Sequence, residues 1–473
     1  MLHLNQVITY YHDMLRSSDT SALYAQLETA QHARAMLVGK QRDRLVCSVL
    51  RPRFILPAQY ATLHSAATAI GKAIRLLGAA ALHDQHMLAP YALTEAEQRL
   101  LAIDPGYPGV SAFGRLDGFL APDGTWCYFV ESNLESPAGI AYDEAIAAMF
   151  DQTEVMAQFR QRFAAAALPV RQALQAMLLE NYRAWGGQST PTIAIVDYVE
   201  AVTMSEFEWL REQFVRAGFP TIIADPGWLR YQGGKLYADL RTADGQMTES
   251  VAIDLVYRRV LQHEFLARYD LSHALVQAYA DHAVCVINPF CSKPVHTKLI
   301  MWLLSDEDAP GAQLVDTQLR EAIRAHVPWS RIVRPGFTRY QNERIDLLHF
   351  ARTNRERLVL KPNDDYGGKG VLLGWETTAL DWEHALEVAQ HSPYLLQERV
   401  PLPVEDYPTW TATEGLRFTE RYVDSDPCMY GDQAMGCLTR IASTSLLNVS
   451  AGGGSAPPTF LVEELAEQRR NAE

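Results

Sequence analysis

At 473 residues the chain is too long for one core and is expected to divide into roughly two to four domains. Hydrophobic content of 48% and charged content of 21% are those of a soluble globular protein. The net charge of −14 argues against nucleic acid or an anionic membrane as partner, so a bound polyphosphate would need a local basic site. Six scattered cysteines (Cys47, Cys127, Cys285, Cys291, Cys428, Cys437) with no CxxC pair read as reduced thiols of a cytoplasmic protein. The opening MLHLNQVITYYHDML is interrupted by polar residues and does not read as a signal peptide. No apolar run is long enough to span a bilayer, and no internal repeat is visible.

Taken in order, residues 1–101 read as a helical region, with helix-spaced apolar positions through Ala22–Met36 and Tyr60–Leu82. Arg51–Pro57 reads as a connector with two prolines. His83 and His86, in HDQH, have no third ligand nearby and read as a solvated turn.

Residues 102–189 open with a stretch that carries chemistry. Two strand-like runs, Phe113–Leu120 and Trp126–Glu131, flank the turn Pro122-Asp123-Gly124. Arg115 and Asp117 are two apart, and so on one face; Glu131 and Asn133 are spaced likewise. Antiparallel pairing would bring Asp117 near Glu131. Three oxygen donors beside an arginine suit Mg²⁺, which takes few protein carboxylates. A solvated strand face with an Arg115–carboxylate salt bridge explains the same residues equally well. Leu168–Ala184 follows as a helix.

Residues 190–290 alternate strand and helix: Thr192–Asp197, then a helix over Met204–Ala217, then Thr221–Ala224, Lys235–Asp239, Ile253–Tyr257 and Val284–Phe290 as strands. That pattern predicts a small α/β unit with a parallel sheet. No GxGxxG follows the first strand, so a dinucleotide fingerprint is absent. Arg258 and Arg259 after a strand either face an anionic substrate or form a surface pair.

Residues 291–473 begin with a helix over His296–Leu304, where a lone Lys298 reads as a snorkelling surface residue. A helix over Gln318–Ala325 precedes the most informative segment, RLVLKPNDDYGGKGVLLG. Its apolar run Leu358–Leu360 ends in Lys361-Pro362. The acidic Asp364 and Asp365 come next, then Gly367, Gly368, Lys369, Gly370 and a second apolar run, Val371–Leu373. Glycines let backbone N–H groups close around phosphate oxygens, and two lysines add charge. No GxxxxGK[ST] is present, so this is not a P-loop. An ordinary glycine-rich hairpin is the plain alternative. Lys361 favours the anion-binding reading, because a lysine ending a buried strand wants an anionic partner. His384–Gln390 reads as a helix. The strand Tyr394–Glu398 finishes in Gln397-Glu398, two polar groups able to read an adenine edge. The stretches Cys437–Ile441 and Leu446–Ser450 frame Arg440, Asn448 and the run Gly452–Gly454, and the tail after Glu463 reads as frayed.

The order RxD … ExN … K … KP(x)nGGKG … QE … R … NxSxGGG resembles the circularly permuted ATP-grasp proteins and is similar to the synthetase part of glutathionylspermidine synthase, from about Arg51 to Glu463. The resemblance implies an α/β (α+β) fold: an ATP-grasp with circular permutation, a small α/β pre-grasp domain at 190–290, a helical N-terminal region, and nucleotide-binding strands within 291–473. It implies Mg²⁺ on Asp117, Glu131 and Asn133, and ATP phosphates met by Lys298 and Lys361. The loop Gly367, Gly368, Lys369 and Gly370 would close over them, Gln397 and Glu398 would meet the adenine, and Arg115 and Arg440 would bracket the transferring phosphoryl group. The implied activity joins a small-molecule or peptide carboxylate to an amine through an acyl phosphate. A non-ligating nucleotide-binding regulatory or assembly protein and an ATP-grasp phosphotransferase are the alternatives. Two departures stand out: no amidase half is present, and Asp364 and Asp365 put negative charge beside the phosphates. No GxSxG and no Cys–His pair offers a side-chain nucleophile.

Overall fold

A computed structural model describes residues 2–39, 41–242, 245–365, 367–447, 449 and 454–465. Asn448, Ser450, Gly452, Gly453 and the tail from 466 onward lie outside the described residues.

A parallel sheet lies between Ile193 and Ile287. Four strands run parallel in the order Cys285–Ile287, Leu255–Arg258, Ile193–Val196, Thr221–Ala224. Ile193–Val196 is an unbroken apolar run and is buried throughout, as a parallel sheet covered on both faces requires. Ile253 ends a different strand, Met247–Ile253, which packs antiparallel on Lys235–Arg241. The two strands separate at Asp254, whose carboxylate accepts from Thr192 N at 2.9 Å.

The glycine-rich segment lies in an antiparallel sheet ordered Ser330–Ile332, Tyr394–Glu398, Leu358–Pro362, Leu372–Leu373. Helices Leu347–Thr353 and Ala379–Ala389 cover one face through Leu347, Leu348, Trp382 and Leu386. The early hairpin belongs to a third sheet. Its strands are Phe113–Leu120 and Cys127–Asn133, and late strands Cys428–Tyr430 and Gln433–Ala434 extend it. Asn288 docks this hairpin on the parallel sheet, its Oδ1 accepting from Ala112 N at 2.8 Å and Phe113 N at 2.9 Å.

Three expectations need correcting. Arg51–Pro57 is no connector: Arg53–Ile55 is a strand lying parallel to Thr459–Leu461. Arg51 and Arg53 are both buried and paired with Glu405, while Pro57 opens the long helix Pro57–Ala81 in its first turn. The helix expected over His296–Leu304 is two short ones, Lys293–His296 and Ile300–Ser305. Between them Asn363 takes the backbone N–H of Leu299 at 2.9 Å and of Lys298 at 3.2 Å, which turns Lys298 toward the glycine-rich loop. Beside Arg440 a short strand, Ile441–Ala442, forms, while Leu438 bridges to Asp426 and the Arg440 backbone N–H donates to Asp424. Arg258 and Arg259 form no surface pair; both are buried. Among the described residues no single helix is long and apolar enough to cross a membrane.

Candidate functional site

The hairpin sets the site's floor. Arg115 pairs with Asn133 and Asp117 with Glu131, so all four side chains share one face. The register slips between Asp117 and Gly118, leaving Val130 as the extra residue of a bulge. Gly118 suits that position, since a Cβ there would sit 2.6 Å from Tyr128 O. The bulge has a chemical outcome: the freed Val130 carbonyl accepts from Lys361 Nζ at 3.0 Å.

Lys361 ends its strand in the interior and also donates to Gln397 Oε1 at 2.7 Å. Burial pulls its pKa down to about 8, with Glu131 the main opposing charge. Between that value and the ordinary lysine range the unfolded chain holds more protons than the folded one, so this residue's penalty on stability fades as pH rises. Anion binding carries the opposite sign. Affinity for a polyphosphate is expected to weaken as pH climbs through about 8. Lys361→Arg, charged throughout, should lose that dependence in calorimetric titrations on either side of that pH.

The glycine-rich loop is anchored at its N-terminal side. Gly368 and Gly370 take φ of +76° and +70°, and a Cβ on Gly368 would approach Leu446 Cδ2 to 2.8 Å. Asp364 pairs with the buried Lys293, and Lys298 donates to the Asp365 carbonyl while lying 3.5 Å from Glu131. The two aspartates are therefore anchors for lysines. Lys298 is 4% exposed, which overturns its reading as a surface residue. Lys369 points to solvent with an ion pair to Asp365 at 3.3 Å.

Opposite the lysines sits a cluster of two guanidiniums and three carboxylates. Arg115 grips Asp117 bidentately at 2.6 and 3.0 Å. Arg440 reaches Asp117 at 2.9 Å, Asp424 at 2.7 Å and Asp426 at 2.9 Å. Burial alone would raise the Asp117 pKa, but Arg115 and Arg440 outweigh it and hold the carboxyl well below the usual range. Burial wins at Asp424 and Asp426, which are both pushed upward. Asp424 and Asp426 were missed in the sequence, yet a signal existed: they stand two apart just beyond the strand Gly415–Val423, in the spacing that singled out Arg115 and Asp117. Lys293 gave none.

A single cavity of ≈ 320 Å³ collects these groups. Arg115, Asp117, Glu131 and Asn133 line it from the hairpin, and Lys361, Gly367, Gly368, Gln397, Glu398 and Arg440 from the late segments. Lys298 reaches the cluster through Glu131; Lys369 and Gly370 are not on the wall. The Gln397 amide bridges Lys361 and Ser330 Oγ, and Glu398 accepts from Tyr340 Oη at 2.6 Å. Both side chains thus have neighbours as partners while lining the cavity. Arg258 is bound to Glu135 at 2.6 Å and to backbone carbonyls, not to the cavity.

Magnesium is the implied metal, and the donor atoms are of the kind it takes, although both Asp117 oxygens are already held by Arg115 and Arg440. Glu131, Asn133 and Asp117 are hard oxygen donors on one wall, and Mg²⁺ takes one or two carboxylates plus phosphate and water oxygens. Among the described residues no group of three or more His, Cys, Asp or Glu side chains is placed to hold a metal ion. An ion held here would depend on the oxygens of its ligand.

No family model matches the sequence, and no curated protein does. The fold has relatives among solved structures. A glutathione synthetase-like effector from Globodera pallida, in its apo form, superposes with a TM-score of 0.55 at 12% identity, over 94% of this chain and 98% of that one. A γ-glutamylcysteine synthetase homologue from Methylobacillus flagellatus KT gives 0.42 at 9% identity, over 86% of this chain and 89% of that one. The chain has a mixed α/β fold similar to that of the glutathione synthetase-like effector over nearly its whole length.

Proposed function

We propose that the chain is an ATP- and Mg²⁺-dependent carboxylate–amine ligase built on a circularly permuted ATP-grasp. The observation that carries this reading is convergence: oxygen donors and a guanidinium from residues 115–133 share one cavity with a buried ammonium and a glycine loop from 361–368, and with Arg440. Phosphoryl transfer to a carboxylate asks little covalent chemistry of a protein. It needs charge neutralised and reactants held in line. Lys361 and Lys298 would meet the phosphates, and the loop backbone would cover them. Glu131 and Asn133, with Asp117, would hold the magnesium, which supplies charge neutralisation when bound. Arg115 and Arg440 would face the transferring group, and an amine would then displace phosphate from the acyl phosphate to leave an amide. The late strand Cys428–Tyr430 beside the early hairpin is consistent with permutation. All six cysteines are free and buried, which supports a reducing, cytoplasmic compartment.

The test is ADP release that requires both an acid and an amine, with the amide found by mass. ADP accompanied by a phosphorylated product and no amide would make the chain a phosphotransferase. Nucleotide binding without ADP under every acid–amine pair would leave a non-ligating binding protein.

A further inference from the structure

The same cavity wall also carries apolar side chains, Val38, Pro137, Tyr142, Val202, Leu261 and Leu438, brought from five separate parts of the chain. Next to Pro137, the Ala138 carbonyl accepts from Arg115 Nη1 at 2.8 Å. Tyr142 spends its hydroxyl on Ser205 Oγ at 3.1 Å and so offers the cavity no free polar tip. The polar backbone here is occupied too: Gly139 N donates to the buried Glu206 at 3.0 Å, and Ser136 Oγ donates to Arg259 O at 2.6 Å. Every acidic or basic described residue on the cavity wall belongs either to the cluster around Arg115, Lys361 and Arg440 or to the neighbouring His296, Glu398 and Arg399.

We infer that the carboxylate substrate has an apolar body: an aliphatic or aromatic amino acid or related acid, its carboxylate toward Arg115 and its side chain against Val38, Val202, Leu261 and Leu438. This rests on the ligase reading for the role of the carboxylate, but the wall's composition stands by itself. A polyamine or a second carboxylate lodged against those side chains would lose its water and gain no hydrogen bond from them. An apolar group loses nothing and buries surface.

Binding separates this inference from the ligase reading. Titration of the full chain with leucine, phenylalanine, glutamate, lysine and spermidine, in the presence of MgATP, is expected to give dissociation constants at least about tenfold lower for the first two. Val202→Asp should weaken leucine or phenylalanine by a similar factor and leave MgATP binding unchanged. Tighter binding of glutamate, lysine or spermidine, or no binding of any apolar acid, overturns the inference. Apolar acids that bind without supporting ADP release sustain the inference and count against the ligase.

Discussion

Glu131→Ala is expected to slow ADP release by roughly 10²–10³-fold while leaving the folded protein intact. Glu131 is the better target of the two carboxylates in the hairpin. Its side chain is 23% exposed, so its loss opens no core, and the lysines it faces keep other partners, Lys298 the Asp365 carbonyl and Lys361 the Val130 carbonyl and Gln397. Asp117 is different: it holds the buried Arg115 bidentately and also meets the partly buried Arg440, and Asp117→Ala would leave Arg115 short of its main counter-charge. Asp117→Asn keeps the shape and is the fairer companion variant. The readout is steady-state ADP release set beside a chemical denaturation curve. Undiminished turnover in Glu131→Ala would remove this carboxylate from the reacting centre.

The second large effect is on stability. Glu135 and Arg258 are both fully buried and joined at 2.6 Å, and the Glu135 carboxylate also accepts from Gln262 N at 2.8 Å. Arg258 spends its remaining donors on the carbonyls of Asn288, Val260 and Pro289. Glu135→Ala leaves that guanidinium without its counter-ion and is expected to cost about 3–5 kcal/mol by denaturant titration. The double replacement Glu135→Leu with Arg258→Met should recover much of the loss, because desolvating the pair is itself expensive. A loss below about 1 kcal/mol in the single variant would mean the pair is solvated in solution.

These residues also mark the boundary between what a sequence reveals and what it conceals. Arg115, Asp117, Glu131 and Asn133 were legible because a strand sorts its side chains by parity, and a turn signal fixed which strands would pair. Lys361 was legible as a charge ending an apolar run. The fate of Arg258 was not, since a buried arginine and an exposed one look alike until the carboxylate 123 residues away is known to meet it. The same holds for Arg53–Ile55. Its partner strand is at Thr459–Leu461, and no local pattern carries that information. The broken helix before Lys298 depended on Asn363, a capping partner supplied from another sheet. Where a role is set by distant contacts, spacing is silent.

That pairing of Arg53–Ile55 with Thr459–Leu461 bears on how the molecule can be handled. Thr459–Glu464 is the middle strand of three, flanked on its other side by Phe163–Ala167. A ribosome delivers it about 400 residues after its first neighbour, so two outer strands wait with bare edges for most of synthesis. Trimming the chain back past Thr459 would recreate that waiting state permanently, turning a tidy-looking deletion of the polypeptide's end into a seed for aggregation.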